Sequence, residues 1–277
     1  MIYYKKADEI RIIKEGGKRL AFILESLIKE VKPGVETMYL ENMANKFIES
    51  FGGRSAFKNY PMGDGIFFPA TVCVSINNEV VHGAAIPNRI LKNGDIVDLD
   101  IGMEWPVDPK VRAEFQASLN PHSKTGGFFT DMCATVGVGK ISADAKKLLR
   151  VSHECLELGL RQVKPGNKIN DIGRAISEHA EKHGYGVVQD LVGHGVGYFA
   201  HEKPDVFNYE IRANLPENVV LKPGMVIAIE PMINQGDYEI KIAKNNYTIL
   251  TKDGLLSAHF EHTVAVTDEG CEILTNN

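Results

Sequence analysis

Apolar residues recur every three or four positions near the start of the chain, which predicts an amphipathic helix over residues 7–32. The repeating positions are Leu20, Ile23, Leu24, Leu27, Ile28 and Val31. Pro33-Gly34 stops this helix, and a second helical stretch follows and closes at Gly52. The same rhythm returns in the second half at Leu148, Leu149, Cys155, Leu156, Leu160 and Val163.

The two helical regions share a tetrapeptide, Val-Lys-Pro-Gly, at 31–34 and 163–166. Each copy is followed by another helical stretch that closes at a glycine, Gly52 in the first half and Gly184 in the second. We therefore predict an internal duplication within one domain over residues 1–277, with related halves at about 7–139 and 142–277.

β-rich runs also match between the halves. Residues 91–100 align without a gap with 221–230, and each run leads from a turn through apolar residues to an acid, Asp100 or Glu230. The next strands, 130–136 and 260–266, carry Asp131 and Glu261 near their starts. Acids are common at strand ends, so the interpretation depends on finding four of them at matched positions.

Packing of two related halves about a pseudo-twofold axis would bring these four carboxylates together. Their repulsion and desolvation would be untenable without compensation, and two divalent cations would supply it. Carboxylates with one imidazole and no cysteine suit Co²⁺, Mn²⁺, Fe²⁺ or Zn²⁺. Two such ions can polarise a carbonyl and lower the pKa of a shared water, which predicts metal-assisted hydrolysis.

A glycine-rich stretch, residues 191–202, supplies the imidazole. Gly193, Gly195 and Gly197 allow a tight non-helical bend from which His194 projects as a fifth ligand. His201 and His82 are then candidates for substrate binding or proton transfer. We interpret the remaining histidines as structural or solvated; they are His122, His153, His179, His183, His259 and His262. For His259 and His262, which flank Glu261, the alternative is a role in orienting that carboxylate.

Composition narrows the function classes. The net charge is −5 and no basic stripe is present, which argues against a nucleic-acid-binding surface. No apolar run is long enough to span a bilayer, and we expect no membrane partner. The four cysteines are widely separated, as is typical of reduced thiols in a cytoplasmic protein.

At this point the chain resembles the type I methionine aminopeptidases of the pita-bread metallopeptidase fold along nearly its whole length. Six motifs carry the resemblance in order, and they are residues 72–83, 94–100, 130–131, 193–204, 229–231 and 256–263. The resemblance implies an α/β fold: two pseudo-symmetric halves, with a curved antiparallel sheet covered by helices on its outer face.

The resemblance also implies roles for individual residues. Asp100, Asp131, His194, Glu230 and Glu261 would ligate two metal ions, and Glu230 would also carry the proton during hydrolysis. His82 and His201 would contact the substrate at the scissile amide. The implied reaction removes the N-terminal methionine, before a small second residue, from peptides and from nascent polypeptides at the ribosome. We expect a monomer.

The methionine side-chain pocket departs from the family's usual pattern. Tyr60, Phe68 and Cys73 match positions that line it, and they could pack a thioether. Tyr247 stands where tryptophan is usual, and Ala200 stands where an aromatic residue is usual. The resemblance therefore predicts the hydrolytic reaction more firmly than it predicts which N-terminal side chain the pocket accepts.

An insert of about residues 103–127 separates Asp100 from Asp131, where the family's short form has a tight connection. We therefore interpret the equal interval between Glu230 and Glu261 as a coincidence. We expect a solvated surface excursion, because loop insertions cost little free energy. The alternative is a lid over the cleft.

Two other functions stay open at this stage. A peptidase of the same fold that cleaves before proline is one, although those relatives carry an extra N-terminal domain that this chain is expected to lack. A non-catalytic binding protein on this fold is the other, and retention of every ligand-type residue argues against it.

Overall fold

The computed structural model describes residues 1–276. Helices form where the apolar repeats predict them, and one additional short helix, α3, lies in the insert. They are α1 (Ala7–Lys29), α2 (Thr37–Ser50), α3 (Pro109–Glu114), α4 (Ala143–Arg161) and α5 (Ile169–Lys182). None of the helices within residues 1–276 is long and apolar enough to cross a membrane.

Sixteen strands alternate with these helices in the described part of the chain. In the first half they are β1 (Arg54–Ser55), β2 (Pro61–Gly63), β3 (Ile66–Phe67), β4 (Val72–Ile76), β5 (Glu79–Val81), β6 (Ile96–Trp105) and β7 (Phe128–Gly137). In the second half they are β8 (Gly186–Val187), β9 (Gly193–Gly195), β10 (Glu202–Val206), β11 (Val226–Ile229), β12 (Met232–Asn234), β13 (Ile240–Ile242), β14 (Ile249–Thr251), β15 (Ser257–Thr267) and β16 (Gly270–Ile273).

One antiparallel sheet forms the centre of the molecule and contains strands from both halves. Its main path runs β1-β6-β7-β15-β11-β9-β10, so the longest strands, β6, β7 and β15, lie side by side. Helix α1 packs on β6 and β7, and α4 packs on β15. The apolar core accordingly has one large cluster around α1 and α2 and another around α4 and α5.

Close helix-to-sheet approach explains two adjacent glycines in α1. A Cβ on Gly17 would lie 2.2 Å from the carbonyl oxygen of Leu274, so only glycine lets the helix pass this strand end. A Cβ on Gly16 would have its nearest contact at 3.5 Å, on Trp105. The helix is therefore held against the sheet by backbone contact at one position and side-chain contact at the next.

The repeated tetrapeptides have matching local geometry. Gly34 and Gly166 adopt φ values of +92° and +91°, in the left-handed region that favours glycine. Antiparallel bridges follow both turns, joining Glu36 to Ile90 and Lys168 to Val220. Both copies of the tetrapeptide therefore form the same kind of turn, with an antiparallel bridge after it.

The prediction that Asp100 ends its strand is wrong. β6 continues to Trp105, because Met103 and Trp105 are fully buried and pair with Thr130 and Phe128 of β7. The start of the insert is therefore part of the sheet and not a solvated excursion. Trp105 Nε1 donates a hydrogen bond to the Phe51 carbonyl at 2.8 Å, which fixes the indole in the core.

Candidate active site

Strand register brings three of the predicted acids together at the middle of the sheet. Asp100 of β6 pairs with Cys133 of β7, and Cys133 pairs in turn with Glu261 of β15. Asp131 lies two residues before Cys133, so it shares the same sheet face. Ligand oxygens of Asp100, Asp131 and Glu261 all lie within 4.8 Å of one another, and all three residues are buried.

The other two predicted ligands approach from the neighbouring strands. Glu230 directly follows β11, and His194 is the central residue of β9. Ligand atoms of His194, Glu230 and Glu261 lie within 4.8 Å of one another, and His194 Nε2 is 3.3 Å from Glu230 Oε1. Glu261 therefore belongs to both groups, and the two groups form one continuous cluster.

The glycines beside His194 are required by close packing. A Cβ on Gly193 would lie 2.5 Å from the Ala228 carbonyl oxygen, and one on Gly195 would lie 2.5 Å from that of Lys203. His194 Nδ1 is 2.8 Å from the Gly195 carbonyl, to which only an N–H can donate. With Nδ1 occupied by this contact, Nε2 is the ring nitrogen that faces the carboxylates, in the position that a metal-ligating histidine requires.

Crowding of the carboxylates disfavours their charged forms. Burial, with the neighbouring charges of Asp98 and Glu230, raises the pKa of Asp100 to about 8. Burial and the other acids also raise the pKa of Asp131 and of Glu261 well above the usual range. Within residues 1–276, Asp100 Oδ1, Asp131 Oδ1 and Glu230 Oε1 are buried without a hydrogen-bond partner.

These orphaned oxygens fit divalent cations. Buried polar atoms normally have partners, and carboxylates that face each other need a positive charge between them. Four carboxylates and an imidazole form the donor set that first-row divalent ions accept. The site therefore fits the metal chemistry that its residues predict.

His259 contacts the acid cluster, which contradicts a solvated position and agrees with the alternative of a role beside the metal-ligand carboxylates. It is 1% exposed, with Nδ1 at 3.5 Å from Asp98 Oδ2 and Nε2 at 3.7 Å from Glu230 Oε2. Burial alone would lower its pKa, but Asp98 and Glu230 outweigh burial and raise it to about 10. Two features of the sequence indicate this contact: His259 lies two residues before Glu261, and Asp98 lies two residues before Asp100 on the same face of β6.

His82 and His201 line the same cavity as the acid cluster. His82 has a left-handed backbone with φ of +60°, and its carbonyl accepts a hydrogen bond from Thr248 Oγ1 at 2.9 Å. His201 Nδ1 is 2.8 Å from the Tyr60 hydroxyl, and its ring centroid is 4.3 Å from that of His194. Desolvation lowers the pKa of both rings, and His194 and His82 lower that of His201 further.

A cavity of about 380 Å³ joins the acids to an apolar wall. The predicted pocket residues Tyr60, Phe68 and Cys73 line it. Tyr247 does not appear in this lining; its ring packs edge-to-face behind Phe68 at a centroid separation of 5.7 Å. Ala200 is buried, and its neighbour Phe199 is half-exposed.

Several further lining residues carry no chemical motif and come from separate segments, so the sequence does not indicate that they meet. They are Phe57, Pro61, Met62, Val81, Leu191, Val192 and Met232. None of residues 103–127 lines the cavity, so the described structure gives the lid alternative no support.

The N-terminal segment braces the loop that carries His201. Lys5 Nζ forms an ion pair with Glu202 Oε1, and these side chains are 1% and 2% exposed. The Tyr198 hydroxyl donates to both carboxylate oxygens of Glu9, at 2.9 and 2.8 Å. Ile2 also forms a bridge with Lys203. These contacts fix the chain on both sides of His201.

Comparison with known proteins agrees with this geometry. The sequence profile of metallopeptidase family M24 matches residues 11–107 and 121–268. The unmatched residues between these two ranges lie inside the insert. Methionine aminopeptidase 1 of Bacillus subtilis is 41% identical over 276 residues, covering 99% of both chains. Methionine aminopeptidase of Escherichia coli is 38% identical over 275 residues, covering 99% of this chain and 94% of the relative.

Solved structures give the same result. The structure of methionine aminopeptidase from Thermotoga maritima has a TM-score of 0.87, 34% identity and complete coverage of both chains. Prolidase from Pyrococcus horikoshii shares the fold at a TM-score of 0.71 and 20% identity, with 99% of this chain covered and 63% of that one. The predicted fold, a curved antiparallel sheet covered by helices, is confirmed, and the chain belongs to metallopeptidase family M24.

Proposed function

We propose that the protein removes the N-terminal methionine from peptides and from nascent polypeptides leaving the ribosome, where the second residue is small. The observation that carries this proposal is one cavity in which unpaired buried carboxylates meet an apolar wall. Such a cavity can hold an unbranched apolar side chain while the adjoining backbone amide lies at the acid cluster. The methionine aminopeptidases compared above agree with this substrate.

Two divalent ions would occupy the acid cluster. Asp100 would contribute to one site and His194 with Glu230 to the other. Asp131 and Glu261, one acid from each half, would contribute to both, since each belongs to a group with Asp100 and to a group with His194. When bound, these ions would supply Lewis-acid polarisation of the scissile carbonyl and a lower pKa for the attacking water. The ligand set accepts Co²⁺, Mn²⁺, Fe²⁺ and Zn²⁺ alike.

Glu230 is placed to move the proton. Its Oε1 lacks a hydrogen-bond partner within residues 1–276, and it lies at the cavity. During attack, a water oxygen would bond to the carbonyl carbon and its proton would pass to Glu230. The carbon–nitrogen bond would then break as Glu230 delivers that proton to the departing amine.

His82 and His201 would position the amide. The Tyr60 hydroxyl fixes the plane of the His201 ring through Nδ1 and leaves Nε2 for the substrate. A hydrogen bond from such a ring to the developing oxyanion stabilises the transition state, at about 10²–10³ in rate for one donor. Low pKa values keep both rings neutral, so they would act as hydrogen-bond donors and not as fixed charges.

The apolar wall would select the side chain. Phe57, Phe68, Met62 and Met232 offer polarisable and aromatic contacts to a thioether. Cys73 completes the wall, and burial followed by the nearby acids raises the pKa of its thiol, which therefore stays neutral. An unbranched thioether fits this lining better than a charged side chain would.

The test is methionine release from Met-Ala-Ser by protein stripped of metal and resupplied with each candidate ion. We expect release with at least one ion, and none from an X-Pro dipeptide. Cleavage of the X-Pro dipeptide without methionine release would instead support the proline-directed alternative. Full metal content without turnover of either substrate would indicate the binding-protein alternative.

Variants separate the roles within the site. His82→Ala should lower kcat by about 10²–10³ while the metal content is retained. His153→Ala is the control, because His153 lies on α4 and packs against Phe260 of β15, outside the cavity lining. Equal kcat values for the two variants would contradict the assigned role of His82.

A further inference from the structure

A second group of metal-ligand side chains lies on the outer helices. Glu154 is on α4, His179 is in the last turn of α5, and His183 immediately follows α5. One ligand atom from each lies within 4.8 Å of the other two. None of the three lines the cavity of the acid cluster, so this group is separate from the candidate active site.

The geometry arises from helix periodicity and helix pairing. His179 and His183 are four residues apart, and their ring centroids are 4.8 Å apart because positions i and i+4 share a helix face. His179 Nε2 is 2.8 Å from Glu154 Oε2, so the carboxylate of one helix already meets the imidazole pair of the other. The three side chains are only partly exposed.

We propose that Glu154, His179 and His183 bind one Zn²⁺ ion that links α4 to the end of α5. Two imidazoles and one carboxylate form a three-protein-ligand zinc site, with water in the fourth position. Tetrahedral ligands at about 2.0 Å from Zn²⁺ lie about 3.3 Å from each other. The observed separations are 2.8 Å between His179 Nε2 and Glu154 Oε2 and no more than 4.8 Å among the three ligand atoms, a range that includes this value.

Neighbouring cations set the expected affinity. Arg150 Nη1 donates a hydrogen bond to Glu154 Oε1 at 2.6 Å. This leaves Oε2 for the ion, but the guanidinium charge partly neutralises the carboxylate and so weakens its attraction for a cation. Arg150 is therefore the main competitor of the ion for Glu154.

The experiment measures bound Zn²⁺ by equilibrium dialysis of the full chain at several free Zn²⁺ concentrations. We expect His183→Ala and Glu154→Gln each to weaken the binding of one Zn²⁺ per chain by at least tenfold. Arg150→Gln should strengthen the same binding several-fold, because it removes the competitor for Glu154. His153→Ala, on the same helix but outside the cluster, should bind Zn²⁺ like the unchanged protein.

Three results would overturn the proposal. One is equal Zn²⁺ binding by the unchanged protein and His183→Ala. Another is the same loss in His153→Ala as in His183→Ala. The third is an unchanged or weaker affinity in Arg150→Gln, which would show that the ion does not lie beside Glu154. Because the readout is bound Zn²⁺, it does not depend on peptidase activity.

Discussion

Replacing Lys5 by methionine should destabilise the protein and reduce its activity through the loop that carries His201. Lys5 and Glu202 form an ion pair whose side chains are 1% and 2% exposed. Lys5→Met keeps most of the side-chain volume but leaves the Glu202 carboxylate buried without its counter-charge. Glu202 directly follows His201, and its Oε2 accepts a hydrogen bond from the Phe199 N–H at 3.3 Å.

The expected magnitude follows from the burial. Removing one partner of a buried ion pair costs about 3–5 kcal/mol, because the remaining charge is desolvated without compensation. A total unfolding free energy of about 5–15 kcal/mol leaves the variant folded but marginal. Displacement of His201 by about 1 Å would lower kcat/KM by up to about 10²-fold.

Urea unfolding of Lys5→Met, Glu202→Leu and the double variant measures the coupling between the two residues. We expect the double variant to recover most of the stability lost in Lys5→Met, because apolar pairs replace buried ion pairs at little cost. Methionine release from Met-Ala-Ser follows activity in parallel. A loss below about 1 kcal/mol in Lys5→Met, or additive losses in the double variant, would refute the reasoning.

Three further predictions concern the helix–sheet contact and the acid cluster. Gly17→Ala should lower the free energy of unfolding by about 1–3 kcal/mol, since its Cβ would lie 2.2 Å from the Leu274 carbonyl oxygen, whereas Gly16→Ala should leave the stability unchanged or raise it. Equal urea midpoints for the two variants would contradict this. Removing divalent ions with a chelator should lower the unfolding temperature by about 5–10 °C. This shift corresponds to the ~2.7 kcal/mol by which a bound ion stabilises the folded state when its free concentration is a hundredfold above Kd. An unchanged melting curve would count against a metal centre. His259→Ala should weaken divalent-metal binding by about 10–100-fold, because it removes the imidazole beside Asp98 and Glu230; unchanged metal affinity by titration would contradict that positioning role.

Helix positions and the meeting of the acids could be predicted from the sequence, because both depend on short-range periodicity and repeated spacing. The apolar repeat before Pro33 predicts α1, and its counterpart before Pro165 predicts α4. Asp100 and Glu261 meet because both lie in long central strands that flank β7.

The extent of β6 could not be predicted in the same way. Gly102 and Glu104 interrupt its apolar pattern, and a charged residue near a strand end normally indicates solvent exposure. Glu104 is nevertheless fully buried, because Arg54, Ser123 and Thr125 contact its carboxylate. Two of those partners belong to the insert, so only the folded chain shows why the strand continues.

The apolar wall of the cavity and the Lys5–Glu202 ion pair could not be predicted from the sequence for a related reason. Met62 and Met232 carry no motif, and they meet at the cavity although 170 positions separate them in the sequence. Lys5 looks like any solvated lysine until Glu202 is placed beside it. Partners this distant in the chain are fixed by topology, which apolar spacing alone does not encode.

Buried acids in this protein fall into two kinds, and the difference separates structure from chemistry. Glu41 accepts hydrogen bonds from the Thr71 N–H at 2.9 and 2.8 Å, and Glu9 accepts them from Tyr198, so these carboxylates are satisfied by protein donors. Asp100 and Asp131 instead have oxygens without partners in the described chain. Because desolvation of an unpaired carboxylate is costly, such a pair is maintained only where another charge compensates it. Glu9, Glu41, Asp100 and Asp131 look alike in the sequence as acids. Only their surroundings show which pair is bound by protein donors and which pair forms the candidate metal centre.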